Sequence, residues 1–115
     1  MAHEGFHEEN LPEEVRDYHR MIQSVIEELE AVDWYNQRAA ATSDAQVKAI
    51  VEHNRDEEIE HACMGLEWLR RAAPAWDENL RTFLFTAGDI TAVEEGSENQ
   101  EDDSKQDQSL GIKGQ

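Results

Sequence analysis

The chain is short of cysteine, of proline, of positive charge and of long apolar runs, and each shortage excludes something. Cys63 is the single cysteine among 115 residues, so no intrachain disulfide can form and the chain suits a reducing cytoplasm. Ten Lys and Arg against 27 Asp and Glu leave a net charge of −17. That balance argues against nucleic acid or an anionic membrane surface as partner and suits a protein that attracts cations. No apolar run approaches the length of a bilayer span, and the start Met1-Ala2-His3-Glu4 lacks the basic and apolar regions of a signal peptide. The two prolines fall at Pro12 and Pro74, and no glycine lies between Glu13 and Ala41, so nothing there need interrupt a helix. With 38% hydrophobic and 7% aromatic residues, one small domain with a modest core is within reach if the polar ends stay outside it.

What is present is helical periodicity. Residues Met1 to Asn10, with His3 and His7, are polar and aperiodic and read as a mobile arm. Asn10 is a candidate helix cap, with Pro12, Glu13 and Glu14 suited to the first turn. Leu11, Val15, Tyr18, Ile22, Val25, Leu29 and Val32 alternate spacings of four and three. They predict a helix running to about Ala41, ~45 Å long at 1.5 Å per residue. Thr42 and Ser43 break the pattern, and Ser43-Asp44-Ala45-Gln46 matches a capping box. The second helix then turns Val47, Ile50, Asn54, Glu58, His61, Gly65, Trp68 and Ala72 to the core. The short connection predicts an antiparallel hairpin.

Pro74 ends the second helix, and Trp76 to Phe85 reads as a short third one packing through Trp76, Leu80, Phe83 and Leu84. The expectation is an all-α fold with apolar stripes but little interior, hence a helical oligomer. After Ala87-Gly88 the composition shifts: Glu94 to Gln108 is acidic and polar without an aromatic residue, and is expected to be disordered. Ser109 to Gln115 regains Leu110 and Ile112, reading equally as a docking peptide and as a frayed end.

Two segments carry chemistry. Glu58 and His61, three apart, project from one helix face. Glu28 lies three after Val25 and four before Val32, facing the apolar seam. In di-metal carboxylate bundles two helices give one Glu each and two others a Glu-x-x-His pair. This chain has one helix of each kind, half of such a site, and needs a second copy to complete it. Carboxylates turned into a seam are costly without partners, and a divalent metal would compensate them. Carboxylate oxygens with an imidazole suit Fe or Mn.

The alternative is a buried hydrogen-bonded cluster in which Asn54, Glu58 and His61 fix register. Glu27, Glu30 and Trp34 form a separate stripe about 100° from the Glu28–Tyr35 face, either an ordinary solvated face or carboxylates that gather metal ions outside the site. Tyr35, seven after Glu28, either holds that carboxylate through its hydroxyl or is a plain core aromatic. His53 and Glu57 read as exposed or as supports behind the ligands. Cys63, about 200° around the helix from His61, reads as a small buried apolar residue apart from the site.

Longer blocks carry a family likeness. Ile26-Glu27-Glu28-Leu29-Glu30-Ala31-Val32-Asp33-Trp34-Tyr35 resembles the encapsulated ferritin family, as do His53-Asn54-Arg55-Asp56-Glu57-Glu58-Ile59-Glu60-His61, Leu66-Glu67-Trp68-Leu69-Arg70-Arg71 and Leu80-Arg81-Thr82-Phe83-Leu84-Phe85-Thr86. Ser109-Leu110-Gly111-Ile112-Lys113 is similar to the peptides that target such cargo to encapsulin shells. The resemblance implies a ferritin-like two-helix hairpin plus a short third helix, completing a four-helix bundle by dimerisation, with dimers closing into an annular decamer. It implies a ferroxidase that oxidises Fe(II) with O₂ and delivers iron for mineral storage inside an encapsulin nanocompartment in the cytoplasm.

Carried over by position, Glu28, Glu58 and His61 match the di-iron ligands. Glu27 and Glu30 match carboxylates on the way in, Trp34 the residue beside them, and Tyr35 the aromatic behind the ligands. The expected layout is a mobile arm (1–10), a ferritin-like helical domain (11–87), an acidic disordered linker (88–108) and an encapsulin-targeting peptide (109–115). A rubrerythrin-like di-iron peroxidase and a non-catalytic helical cargo or adaptor are the rival readings.

Overall fold

The structure is a computed structural model that describes residues 5–96. Helices α1 (Glu13–Ala41), α2 (Ala45–Ala72) and α3 (Pro74–Phe83) follow one another, with no strand among the described residues, so the fold is all-α as expected. The chain divides into two compact units, Met1–Ala72 and Ala73–Gln115, and the expected helical domain 11–87 spans both. No helix among the described residues is long and apolar enough to cross a membrane.

Both hairpin helices start differently from the sequence expectation. Pro12, not Asn10, is the N-cap of α1, and its carbonyl accepts bonds from the N–H groups of Val15 and Arg16, both at 3.1 Å. Asn10 cannot serve because it sits in the left-handed region at φ 60°. Glu13 and Glu14 in the first turn and Arg38 in the last complement the helix dipole. At the start of α2 the capping box does not form. Instead Asp44 accepts bonds from the N–H groups of Gln46 (2.8 Å) and Val47 (3.0 Å), because a carboxylate aimed at two free N–H groups caps more strongly than the preceding hydroxyl.

Asn36 meets Arg55 near the connection (3.1 Å), and Val25 meets Gly65 farther from it, so α1 and α2 run antiparallel. Their shared line buries Val25 and Ala39 of α1 against Val51, Ala62, Gly65 and Leu69 of α2. On α2 this line keeps Gly65 of the expected stripe and is otherwise rotated by one position from it. Val51 and Leu69 are buried, Leu69 to 1% exposure, whereas Ile50 and Trp68 keep 52% and 36%. Val47, Ala72 and, on α1, Val15 and Leu29 are also exposed. One partner helix covers only a narrow seam, and the apolar residues of each helix are spread more widely than that seam.

Cys63 is exposed rather than buried. It follows Ala62, which faces α1, by one residue and so points about 100° away from the seam. The stretch expected as a mobile arm makes contact within its described part: the Phe6 ring lies 4.6 Å from the His19 ring, with the Arg16 and Arg20 guanidinium groups over it at 5.8 and 6.0 Å.

In the second unit, Pro74 opens α3 at N1, where its missing N–H costs nothing. Trp76, Leu80 and Phe83 are half-buried and Leu84 is exposed. The helix stops at Phe83, short of the expected Phe85, because Phe85 turns to φ 62°. Residues 90–96 form a further helical stretch. Asp89 caps it through Thr91 N–H at 2.9 Å, so residues 90–96 are helical inside the segment 88–108 where a disordered linker was expected. The rest of the acidic segment, the peptide 109–115 and residues 1–4 lie outside the described residues.

Two predictions follow from these helix ends. Asp44→Ala should lower stability by about 1 kcal/mol in urea unfolding followed by circular dichroism, while Ser43→Ala should leave it nearly unchanged. Near the end of α2, Glu67 accepts bonds from Arg70 (2.7 and 2.8 Å) and Arg71 (2.6 Å), which hold its carboxyl down from 4.5 to about 2. A depressed folded-state value means that the unfolded chain takes up the proton first. This contribution is therefore full above pH 4.5 and lost as pH falls through about 2. An NMR titration of Glu67 should show the low midpoint, and Arg70→Ala should move it upward.

Candidate metal centre

The antiparallel seam brings α1 and α2 together at the level where one carries Glu28 and the other Glu58 and His61. His61 Nδ1 lies 3.6 Å from Oε2 of Glu28 and 3.7 Å from Oε2 of Glu58. One donor atom from each of the three falls within 4.8 Å of the others. The two carboxylate side chains keep 25% of their exposure and the imidazole 42%. These groups therefore sit at the edge of the seam, not in its dry centre.

The separations themselves are informative. They exceed hydrogen-bonding distance, so the imidazole is not held by either carboxylate. Two donors each ~2.1 Å from a common divalent ion lie ~3 to ~4.2 Å apart, and the His61–carboxylate distances fall inside that interval. The donor set fits such an ion chemically as well: two carboxylates supply charge and oxygen, and one neutral imidazole supplies nitrogen. All three expected ligands are thus brought together.

The surroundings of the cluster are apolar and uncovered. Ile50 lies eleven residues before His61 and Trp68 seven after it, both within about 20° of the same helical direction. Both are exposed large hydrophobic side chains. Asn54 is half-buried on this flank. Glu28, Glu58 and His61 are therefore set beside apolar side chains that stay exposed among the described residues.

The other expected residues take other places. Tyr35 is half-buried and makes no hydrogen bond to Glu28 among the described residues. The Arg38 guanidinium lies 5.4 Å over its ring, a contact the sequence analysis did not pick out although a Tyr and an Arg three apart share a helix face. Glu27, Glu30 and Trp34 are all exposed on α1 and stay outside the cluster. His53 Nε2 pairs with Glu57 on the outer surface of α2, and both are exposed. The close approach of Gly65 to Val25, one turn from the ligands, was also not singled out as a feature of the site. A glycine four after a ligand histidine was the available signal.

A family model for EncFtn-like proteins matches residues 2–87. The chain belongs to the encapsulated ferritin family. It is 62% identical over 86 residues to the encapsulated ferritin-like protein of Rhodospirillum rubrum, covering 75% of this chain and 61% of that protein's length. It is 59% identical over 88 residues to a ferritin-like protein of Thermotoga maritima, covering 73% of this chain and 77% of the relative. A crystal structure of a Nitrosomonas europaea protein, 56% identical, superposes with a TM-score of 0.73 over 75% of this chain and 97% of the other. The family match covers both hairpin helices, and the Glu28, Glu58 and His61 cluster lies within it.

Proposed function

We propose that this member of the encapsulated ferritin family is a ferroxidase that oxidises Fe(II) to Fe(III) with O₂ at a di-iron site formed between two copies of the chain. The observation that supports it is the convergence of Glu28, Glu58 and His61 within 4.8 Å on a flank where Ile50 and Trp68 stand uncovered. Family membership independently supports an iron-related, ferritin-like role.

On this reading a second copy packs its own Glu28, Glu58 and His61 against the first set, and the two half-sites complete a four-helix arrangement of the Glu plus Glu-x-x-His kind. The apolar residues beside the ligands exclude water once the faces meet. The exposed carboxylates of Glu27 and Glu30, beside Trp34, concentrate Fe(II) at the surface, helped by the chain's net charge of −17. The cluster then takes up the metal: Glu28 and Glu58 neutralise its charge and His61 adds a nitrogen. Iron would supply the redox chemistry, a pair of Fe(II) ions giving one electron each so that one O₂ takes up two electrons and, with two protons, reaches the level of hydrogen peroxide. Tyr35, two turns after Glu28 on the same face of α1, is engaged by the Arg38 guanidinium and takes no part in holding the carboxylate. Fe(III) leaves for mineral storage in an encapsulin nanocompartment, to which residues 109–115 dock the protein. In this proposal the dimers close into an annular decamer, and the compartment lies in the cytoplasm.

The test is aerobic Fe(II) oxidation by the purified full chain. His61→Ala and Glu58→Ala should each lower the rate by more than about 100-fold, beyond what loss of an outer supporting partner costs a metal site. A variant that keeps the full rate would sink the assignment. Deleting residues 109–115 should leave oxidation intact and abolish co-purification with the shell protein. If peroxide outcompetes O₂ as oxidant, the peroxidase reading replaces this one. If the purified chain neither carries nor binds iron, the cargo or adaptor reading does.

A further inference from the structure

We infer that Gly65 is a positioning residue that sets the distance between α1 and α2 at the metal centre, an inference that rests on the proposed metal-binding role of Glu28, Glu58 and His61. A Cβ placed on Gly65 would lie 2.5 Å from Cγ2 of Val25 and 3.5 Å from Sδ of Met21. The first distance is far inside van der Waals contact, so something would have to move. Val25 cannot simply swing away. It is buried, and branching at its Cβ leaves essentially one side-chain rotamer open in a helix. The movement would fall on the helices themselves.

The register makes that movement matter. Gly65 follows His61 by four residues and Val25 precedes Glu28 by three, so each lies one turn from its ligand on the same side of its helix. A wedge between Val25 and position 65 would widen the gap that separates His61 from Glu28 by 3.6 Å. Between these levels α2 presents Ala62, also small and buried, so small side chains face α1 across both turns. Glycine within a helix is otherwise a poor choice, because alanine would favour the helical backbone. Its presence at this position is explained by the close approach. Glu58 and His61 share α2, so widening alters their distances to Glu28 without altering their spacing from each other.

The experiment uses the full-length protein with Co(II) alone as probe, titrated without oxygen and followed by its visible absorption, alongside the thermal midpoint of the metal-free protein. Wild type, Gly65→Ala and the paired variant Gly65→Ala with Val25→Ala are compared. Gly65→Ala should bind Co(II) about ten-fold more weakly, the scale on which disturbed supporting groups cost a metal site, and with a changed absorption envelope. The paired variant, in which the clash is removed from the α1 side, should recover both affinity and spectrum. It also carries the test alone if the single variant fails to fold. Equal binding by wild type and Gly65→Ala would overturn the positioning role while leaving the metal reading intact. A paired variant that folds but binds as weakly as the single one would overturn it too. Failure of the wild type to bind Co(II) would overturn the metal reading and this inference with it.

Discussion

A two-helix hairpin has a single line of contact, and the organisation of this chain follows from that constraint. Only residues on the seam can be buried, and Leu69 is the one large side chain buried almost completely among the described residues. α1 and α2 nevertheless carry far more apolar surface than one seam covers: Ile26, Leu29, Ile50, Ile59, Met64 and Trp68 all remain exposed. Surface of that kind on a small protein marks a place for contact. Glu28, Glu58 and His61 lie at the border between the covered and the uncovered parts.

The helices were legible from spacing alone, because long uninterrupted periodicity is the strongest local signal a sequence carries. The ends of helices were less so. Asn10 and Ser43 are ordinary capping residues, but Pro12 and Asp44 take those roles. The choice depends on where the chain bends, which neighbouring polar side chains do not announce. The core stripe of α2 was read one position off, as Ile50 and Trp68 instead of Val51 and Leu69. Both alternatives are apolar, and a helix with two adjacent apolar stripes does not say which one its hairpin partner covers. Cys63 was expected to be buried on residue type alone, and its place about 100° around α2 from Ala62 keeps it off the seam.

The ligand cluster was more legible than the packing around it. A Glu-x-x-His pair fixes its own geometry through the helical repeat, and Glu28 had only to lie on the seam to meet it once the hairpin closed. The contact between Val25 and Gly65 was not visible in that way. It depends on the depth to which two helices interpenetrate, a property of pairs of positions on different helices, and no periodicity within either helix encodes it. Tyr35 falls between these cases. Its position seven after Glu28 placed it on the right face, but the group it touches is the Arg38 guanidinium and not the carboxylate.

The electrostatics of the cluster bear on which of its readings is physically economical. A register-fixing polar cluster would be expected to satisfy itself, with the imidazole donating to a carboxylate at hydrogen-bonding distance. Here His61 stands 3.6 and 3.7 Å from its two carboxylate neighbours, too far for either bond and well spaced for a shared ion. Elsewhere on the same helix close pairing is readily achieved, as Glu67 with Arg70 and Arg71 shows at 2.6 to 2.8 Å. No Lys or Arg is paired with Glu28 or Glu58 among the described residues, although α2 carries several such cations. Two carboxylates held together without a cation repel one another, and covering them with a second apolar face would raise that repulsion by removing water. In the proposed assembly, closure of the face and uptake of positive charge would therefore be coupled. An assembly that buries this flank favours a cation at the cluster, and a cation at the cluster favours the assembly.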